Sequence, residues 1–317
     1  MYSDEKELTR RGFLSQNIRA AACVAVAGTF GATEAWSADQ KRKRAKKKTK
    51  KSGPMRFGFT TYTWGKPWDI PTLITNCTKA AALGVELRTS QNYAHGVELT
   101  LPAAQRKEVK KQFADSPITL LGLASGERFD SPDPAKLKAA IEAAKAHMKL
   151  SHDIGGTGVR VFPNDFHEGV AHDVTIAQIA KALNEVGAYA AELGQQVRLE
   201  AHGNAGHLPT LGQIMAQVDQ PSVRVKLNSD ARDAEGDGFR KNFRRVKKYL
   251  GDTLHVHDMK NEAFPHQLQM DLLMKMGWDG WWLVEASDKV PDRVQALIEQ
   301  RQMWEGFFKN SLKKQPA

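Results

Sequence analysis

Short apolar runs alternate with longer amphipathic stretches from Met55 almost to the end of this 317-residue chain. Eight of the runs have the density of buried strands: 56–61 (RFGFTT), 84–88 (GVELR), 118–123 (ITLLGL), 157–162 (TGVRVF), 196–201 (QVRLEA), 223–228 (VRVKLN), 253–258 (TLHVHD) and 281–285 (WWLVE). Between them apolar residues recur three and four positions apart, as one face of a helix requires. The clearest case is 134–150, where Leu137, Ala140, Ile141, Ala144 and Met148 share a face. The same spacing predicts helices over 175–193, 263–276 and 289–308, and shorter ones over 102–114, 210–218 and 238–249. Cys77 falls in a helix after the first strand. Eight strand–helix units in about 260 residues match a (β/α)8 barrel. An open doubly wound sheet would carry a Gly-x-Gly-x-x-Gly turn after its first strand, and this chain has none. The expected fold class is α/β, a single-domain TIM barrel over 55–310 with a C-terminal tail at 311–317.

Three of the runs end in side chains that bind metals or move protons: Leu199-Glu200-Ala201-His202-Gly203, His255-Val256-His257-Asp258 and Leu283-Val284-Glu285. A buried strand rarely finishes on a carboxylate or an imidazole without a partner, because desolvating such a group is costly. On successive parallel strands these ends converge at one mouth of a barrel, where catalytic groups gather.

Charge changes the picture mainly at the N-terminus. The chain has a formal net charge of +10, yet residues 41–51 (KRKRAKKKTKK) supply nine Lys or Arg and no acid, so the rest is close to neutral. A run of like charge without interleaved aromatics predicts a solvated, disordered linker at 39–54 rather than a nucleic-acid surface. Ahead of it, Thr9-Arg10-Arg11-Gly12-Phe13-Leu14 and the apolar stretch from Ala20 to Ala32 have the order of a twin-arginine signal. That reading places a signal peptide at 1–38 and the mature protein in the periplasm, with the twin-arginine translocation machinery as a partner. The alternative is a disordered N-terminus with an accidental Arg pair. The apolar stretch is short and rich in Ala and Gly, so no transmembrane segment is expected in the mature form. The two cysteines, Cys23 and Cys77, fall on opposite sides of the expected cleavage, which excludes an internal disulfide.

The strand ends together resemble the xylose isomerase-like TIM barrel superfamily, in its sugar phosphate isomerase/epimerase branch. The resemblance runs from about Arg56 to Phe308 and rests on Glu200-Ala201-His202-Gly203, His255-Val256-His257-Asp258, and Gly277-Trp278-Asp279-Gly280 leading to Glu285. Glu86-Leu87-Arg88 and His95-Gly96-Val97-Glu98 add to it. The resemblance implies one divalent metal ion (Mn, Mg, Co or Zn) held by Glu200, the sixth-strand position, His257 and Glu285. Asn228 stands at the sixth position where an Asp is expected. An amide carbonyl can ligate Mn or Mg but brings no negative charge. Asp230 could take its place only if the strand ends early.

The resemblance further implies proton transfer next to a carbonyl, with Glu200 and Glu285 as the catalytic pair and the ion stabilising an enediolate. His202, Lys260, Trp64 and His207 are the expected contacts to a small carbohydrate substrate. Trp64, with Tyr62 and Trp68, forms either a wall against a sugar ring or a lid packed on its own barrel. Arg160 is expected to pair with Glu200 inside the barrel, with Arg198 as a rival partner. His255 is expected to face away from His257 as a packed supporting residue.

These expectations point to a metal-dependent isomerase or epimerase of a sugar-like hydroxycarbonyl compound. Export favours an unphosphorylated sugar. A lyase acting on 3-keto-glycosides would begin with the same proton abstraction, and a sugar-binding barrel with a decayed metal site is a third reading, prompted by Asn228. An abasic-site endonuclease of the same fold would need more metal ligands and a basic groove, which excludes specific nucleic-acid binding. Self-association into a homo-oligomer is left open.

Overall fold

In a parallel barrel, side chains two apart along a strand point the same way, so the inward face is read from every second residue. The computed structural model describes residues 55–314, and the expected signal peptide, basic linker and last residues of the tail lie outside them. Eight strands, β1 (Arg56–Thr60), β2 (Gly84–Arg88), β3 (Thr119–Arg128), β4 (Gly158–Phe162), β5 (Gln196–Glu200), β6 (Val223–Lys226), β7 (Thr253–Val256) and β8 (Trp281–Val284), form one sheet. Its order is β6-β5-β4-β3-β2-β1-β8-β7, with each pairing parallel. The remaining neighbours, β6 and β7, meet through a Val225–Leu250 bridge and through the His255 N–H, which donates to Leu227 O at 2.8 Å. The result is a (β/α)8-like TIM barrel.

Eight helices follow their strands in turn: α1 (Ile70–Lys79), α2 (Ala103–Ala114), α3 (Pro134–Asp153), α4 (His172–Glu192), α5 (Leu208–Met215), α6 (Phe239–Val246), α7 (His266–Lys275) and α8 (Arg293–Lys313). Their starts carry local signals. The Asp69, Asp133 and Asp292 side chains accept from first-turn N–H groups of α1, α3 and α8, and α1 and α3 have a proline in the first turn. The apolar face expected on 134–150 is buried at Ile141, Ala144 and Met148. The last helix continues to Lys313, so the expected tail begins inside it, with Ser311 buried against Asp271. None of the described helices is long and apolar enough to cross a membrane.

The barrel interior is layered. At the N-terminal end, Leu121, Trp281 and Leu283 make a small apolar cluster of their own, apart from the large core between barrel and helices. Above it the inward positions become charged: Glu86 on β2, Arg198 on β5, Lys226 on β6 and His255 on β7 are all fully buried. Above these the strand ends open into a cavity. β5 ends at Glu200, while Asn228, His257 and Glu285 lie one or two residues past the ends of their strands. The ladders stop where side chains turn into the mouth.

Candidate active site

The cavity at the C-terminal mouth has a volume of about 330 Å3. Its wall is built by Tyr62, Arg88, Phe162, Glu200, His202, Asn228, His257 and Glu285 from the strand ends, and by Gly203, Asp230, Arg232 and Ser287 from the loops that follow. Four of the side chains expected to hold a metal therefore share one wall, together with His202. Gly203 is required by the backbone: its φ is +71°, and a Cβ there would sit 2.0 Å from the Asn164 carbonyl oxygen. The chain can leave β5 past His202 only at a glycine.

Beneath the wall, His255 links three carboxylates. Its Nε2 lies 2.5 Å from Glu86 Oε1, and its Nδ1 lies 2.9 Å from Glu200 Oε1 and 3.2 Å from Glu285 Oε2. The expectation that His255 turns away from the site is corrected by alternation itself. His255 and His257 are two residues apart and so project to the same side, one layer above the other. His255 is fully buried, whereas His257 is half-buried on the cavity wall with Nε2 3.9 Å from Glu285 Oε2.

Each acid has cationic partners. Glu200 Oε2 is 3.0 Å from Arg160 Nε, the pairing expected from sequence, and Arg160 also stacks over Phe162 at 3.9 Å. Glu285 Oε1 is 3.5 Å from Arg88 Nη1. Glu86 Oε2 accepts from Lys226 Nζ at 2.9 Å, and Arg198 Nη1 lies 3.9 Å away while that guanidinium binds Asp252, Thr157 and the Leu121 carbonyl. Arg198 is thus not the partner of Glu200.

These pairings set the ionisation states. Burial pushes the Glu200 carboxyl up, but His255 and Arg160 outweigh it and hold it well below the ordinary carboxylate range. Burial likewise opposes the ionised form of Glu285, which His255 nonetheless holds down. Glu86 is held far down against its own burial by Lys226, His255 and Arg198. Burial and Lys226 push the His255 imidazolium toward neutrality, yet Glu200, Glu285 and Glu86 raise it to about 10 from an ordinary 6.5. The sign follows for stability. The His255 contribution is complete below pH 6.5 and is lost as pH rises through about 10. The carboxylates contribute fully above 4.5 and lose that contribution as pH falls through their depressed values. Thermal melts of chelator-treated protein should accordingly show a plateau at neutral pH with a decline on each side. A melting temperature that stays level through pH 10 would count against this assignment of the imidazolium.

The donor set is also one that fits a divalent ion. Glu200, His255 and Glu285 each offer a ligand atom, all within 4.8 Å of one another and all buried. Asn228 Oδ1 is buried on the same wall with no hydrogen-bond partner among the described residues, as is Glu200 Oε2. If His255 gives up its Nδ1 proton, Glu86 at Nε2 fixes the tautomer that presents Nδ1 to Glu200 and Glu285, as carboxylate partners of metal-binding histidines do. Asp230 is not free to replace Asn228, because Arg232 binds both of its carboxylate oxygens.

The other expected substrate contacts divide. His202 is on the wall against Phe162, 4.4 Å between ring centroids, and burial pushes its imidazole toward the neutral form. Trp64 is not on the wall: it is buried in the core with Nε1 donating to Asp288 O at 2.8 Å, and Tyr62 faces the cavity in its place. Lys260 is carried away by the turn after β7 and pairs with Glu299 on α8 at 2.7 Å, with 58% of its side chain exposed. His207 lines two neighbouring surface recesses beside Arg232 rather than the main cavity. The residues not anticipated as functional are Arg88, Glu86, Lys226 and Arg232. Glu86 and Lys226 did leave a trace, each being a charge set between two apolar neighbours, Val85 and Leu87 in one case and Val225 and Leu227 in the other.

A profile of the xylose isomerase-like TIM barrel family matches residues 74–306. No curated protein sequence matches the chain. Among solved structures, the apo form of 3-keto-D-glucoside 4-epimerase from E. coli superposes with a TM-score of 0.67 at 13% identity, covering 80% of this chain and 99% of that one. D-Psicose 3-epimerase with D-tagatose from Clostridium cellulolyticum H10 gives 0.63 at 18% identity, covering 81% and 99%. A xylose isomerase domain protein from Planctomyces limnophilus gives 0.62 at 11% identity, covering 83% and 99%. At such identities the likeness is one of fold.

Proposed function

The chain belongs to the xylose isomerase-like TIM barrel family, and on that premise we propose that it is a divalent-metal-dependent isomerase or epimerase of a sugar-like hydroxycarbonyl compound. The observation that carries the reading is the meeting of Glu200 and Glu285, from the ends of β5 and β8, around one imidazole at the floor of one cavity. Glu200, Asn228 and Glu285, with an imidazole from His255 or His257, are the residues that would hold the ion. Bound there, the ion supplies positive charge that stabilises negative charge developing on a substrate oxygen.

The remaining chemistry belongs to the chain itself. Glu200 and Glu285 are both held ionised, so each is ready to accept a proton from a carbon next to a carbonyl. Glu285 is the less tightly held of the two, with contacts of 3.2 and 3.5 Å against 2.9 and 3.0 Å for Glu200. It is therefore the better base, and the carboxyl that has taken the proton can return it to a neighbouring atom. Glu200, held ionised by His255 and Arg160, acts as the partner acid only after it has itself taken up a proton. His202, kept toward its neutral form, orients a substrate hydroxyl. Phe162 and Tyr62 supply apolar surface for the sugar face. Export by the twin-arginine route, inferred from Arg10-Arg11 ahead of an apolar stretch, belongs to the same proposal.

A second reading, lyase action on a 3-keto-glycoside, is favoured by the fold likeness to a 3-keto-D-glucoside 4-epimerase. The same abstraction next to the keto group would there expel the glycosidic oxygen. Incubating the full chain with Mn and either free ketoses or 3-keto-glycosides separates the two. The expected product is an epimer or isomer of the added sugar; release of the aglycone selects the lyase. Failure to transform either class, with metal bound, would overturn both.

A further inference from the structure

We infer that Arg88 is the residue that selects the substrate, and that the substrate is a sugar acid whose carboxylate this guanidinium receives. The inference rests on the reading of the cavity as a metal-assisted sugar site and adds the chemical class of the sugar.

The first ground is how firmly the backbone of Arg88 is held. Its N–H donates to Thr61 Oγ1 at 2.8 Å, and its carbonyl accepts from His95 Nε2 at 3.0 Å. The tautomer of His95 is settled locally, because its Nδ1 accepts from the Val97 N–H at 3.1 Å and so leaves the proton on Nε2. Glu98 then closes the loop. Its carboxylate accepts from Thr89 Oγ1 at 2.8 Å and from the N–H groups of Ser90, Gln91 and Asn92 at 2.6, 3.2 and 3.0 Å. Ser90 and Asn92 take positive φ of 66° and 50° within this loop. The motif Glu86-Leu87-Arg88 with His95-Gly96-Val97-Glu98 thus reads as a mount for one side chain.

The second ground is what that side chain lacks. The Arg88 guanidinium lies over the Tyr62 ring at 4.6 Å and faces Glu285 at 3.5 Å, yet none of its N–H groups makes a hydrogen bond among the described residues. Only 20% of the side chain is exposed, and that part lines the cavity. Arg232 on the same wall is different, since Asp230 already occupies it. A mostly buried fork of five donors that leans on one carboxylate oxygen at 3.5 Å has donors left to offer an incoming molecule.

The third ground is charge. Glu200, Asp230 and Glu285 on the wall are matched by Arg88, Arg232 and Arg160 before any ion is present. A divalent cation adds two positive charges, and an anionic group on the substrate offsets part of them. A planar guanidinium fits a carboxylate through two parallel hydrogen bonds. No lysine lines the cavity to help hold a phosphate dianion, which leaves the carboxylate as the better match.

Binding calorimetry on the full chain, with and without Mn, tests the inference using sugars that differ only at one carbon: D-galacturonate against D-galactose and D-glucuronate against D-glucose. Glucose 6-phosphate provides the phosphate comparison. The acids should bind on the order of ten- to a hundredfold more tightly than the neutral sugars. Arg88→Gln should bring that ratio close to one, and Arg88→Lys, which keeps a positive charge beside Glu285, should restore only part of it, with a cooperative melt showing that each variant is folded. Equal binding of acid and neutral sugar, with turnover of neutral ketoses intact, would overturn this inference and leave the epimerase reading standing. Tighter binding of the phosphate overturns the carboxylate assignment. A preference that survives in a folded Arg88→Gln protein overturns the role of Arg88. Absence of binding by any of these sugars overturns the inference together with the reading beneath it.

Discussion

Glu200→Gln should lower kcat by about 10^2- to 10^4-fold, the range over which a positioned acid–base group contributes, and should release the divalent ion in the same step. Gln keeps the shape of the side chain but removes the charge that Arg160 and His255 now neutralise at 3.0 and 2.9 Å. Elemental analysis of the purified protein should find one equivalent of metal in the wild type and a loss in the variant, and Glu285→Gln should behave alike. Coupled loss of metal and turnover is the diagnostic result. A variant that retains wild-type metal content while losing turnover would keep Glu200 as a proton carrier and remove it from the ligand set. One that retains both would end the assignment of this cavity as the reaction centre.

The second large effect is on stability. Glu86 is fully buried and neutralises Lys226 and His255 at 2.9 and 2.5 Å, with Arg198 beyond at 3.9 Å. Removing one member of a buried ionic set leaves uncompensated charge in a low dielectric, so Glu86→Gln should cost about 3–5 kcal/mol of folding free energy. Adding Lys226→Met should recover part of that loss, because the orphaned ammonium goes too. Urea denaturation of the single and double variants measures both. A loss of about 1 kcal/mol or less, the size expected for exposed pairs, would show that the set contributes little.

Period-two and period-3.6 patterns made the barrel legible, since each strand is apolar enough to be found alone and the Asp caps at 69, 133 and 292 are local signals. The apolar runs at β6, β7 and β8 outlast their ladders by one or two residues, whereas β3 continues to Arg128, past the apolar run at 118–123, because its polar end still pairs with β4. Glu200, Asn228, His257 and Glu285 could be picked out because each terminates an apolar run. Their meeting in one cavity could be expected from the fold alone. What local pattern does not encode is pairing inside the barrel. Glu86 meets Lys226 across 140 residues and His255 across 169, and neither partner marks the other in sequence. The side taken by His255 was in principle legible, since two positions along a strand restore the same direction. For Trp64 and Lys260 the sequence shows only proximity to a strand end, whereas the turns that follow decide where such side chains finish. One is folded into the core, and the other is drawn onto α8.

The joint between β6 and β7 has a mechanical corollary. Elsewhere neighbouring strands are laced through ladders of several residue pairs, with register shifts at β2–β3 and β3–β4, but these two staves are tied by one bridge and a few backbone contacts. Asn228 and His257 stand on the two lips of that joint, and the His257 N–H reaches across it to Ser229 Oγ at 2.9 Å. Separation is least costly where the fewest bonds must yield, so the width between amide and imidazole is the softest dimension of the mouth. A cation of larger or smaller radius would be accommodated there, by the hoop giving slightly at its clasp, while Glu200 and Glu285 stay fixed by the charges beneath them.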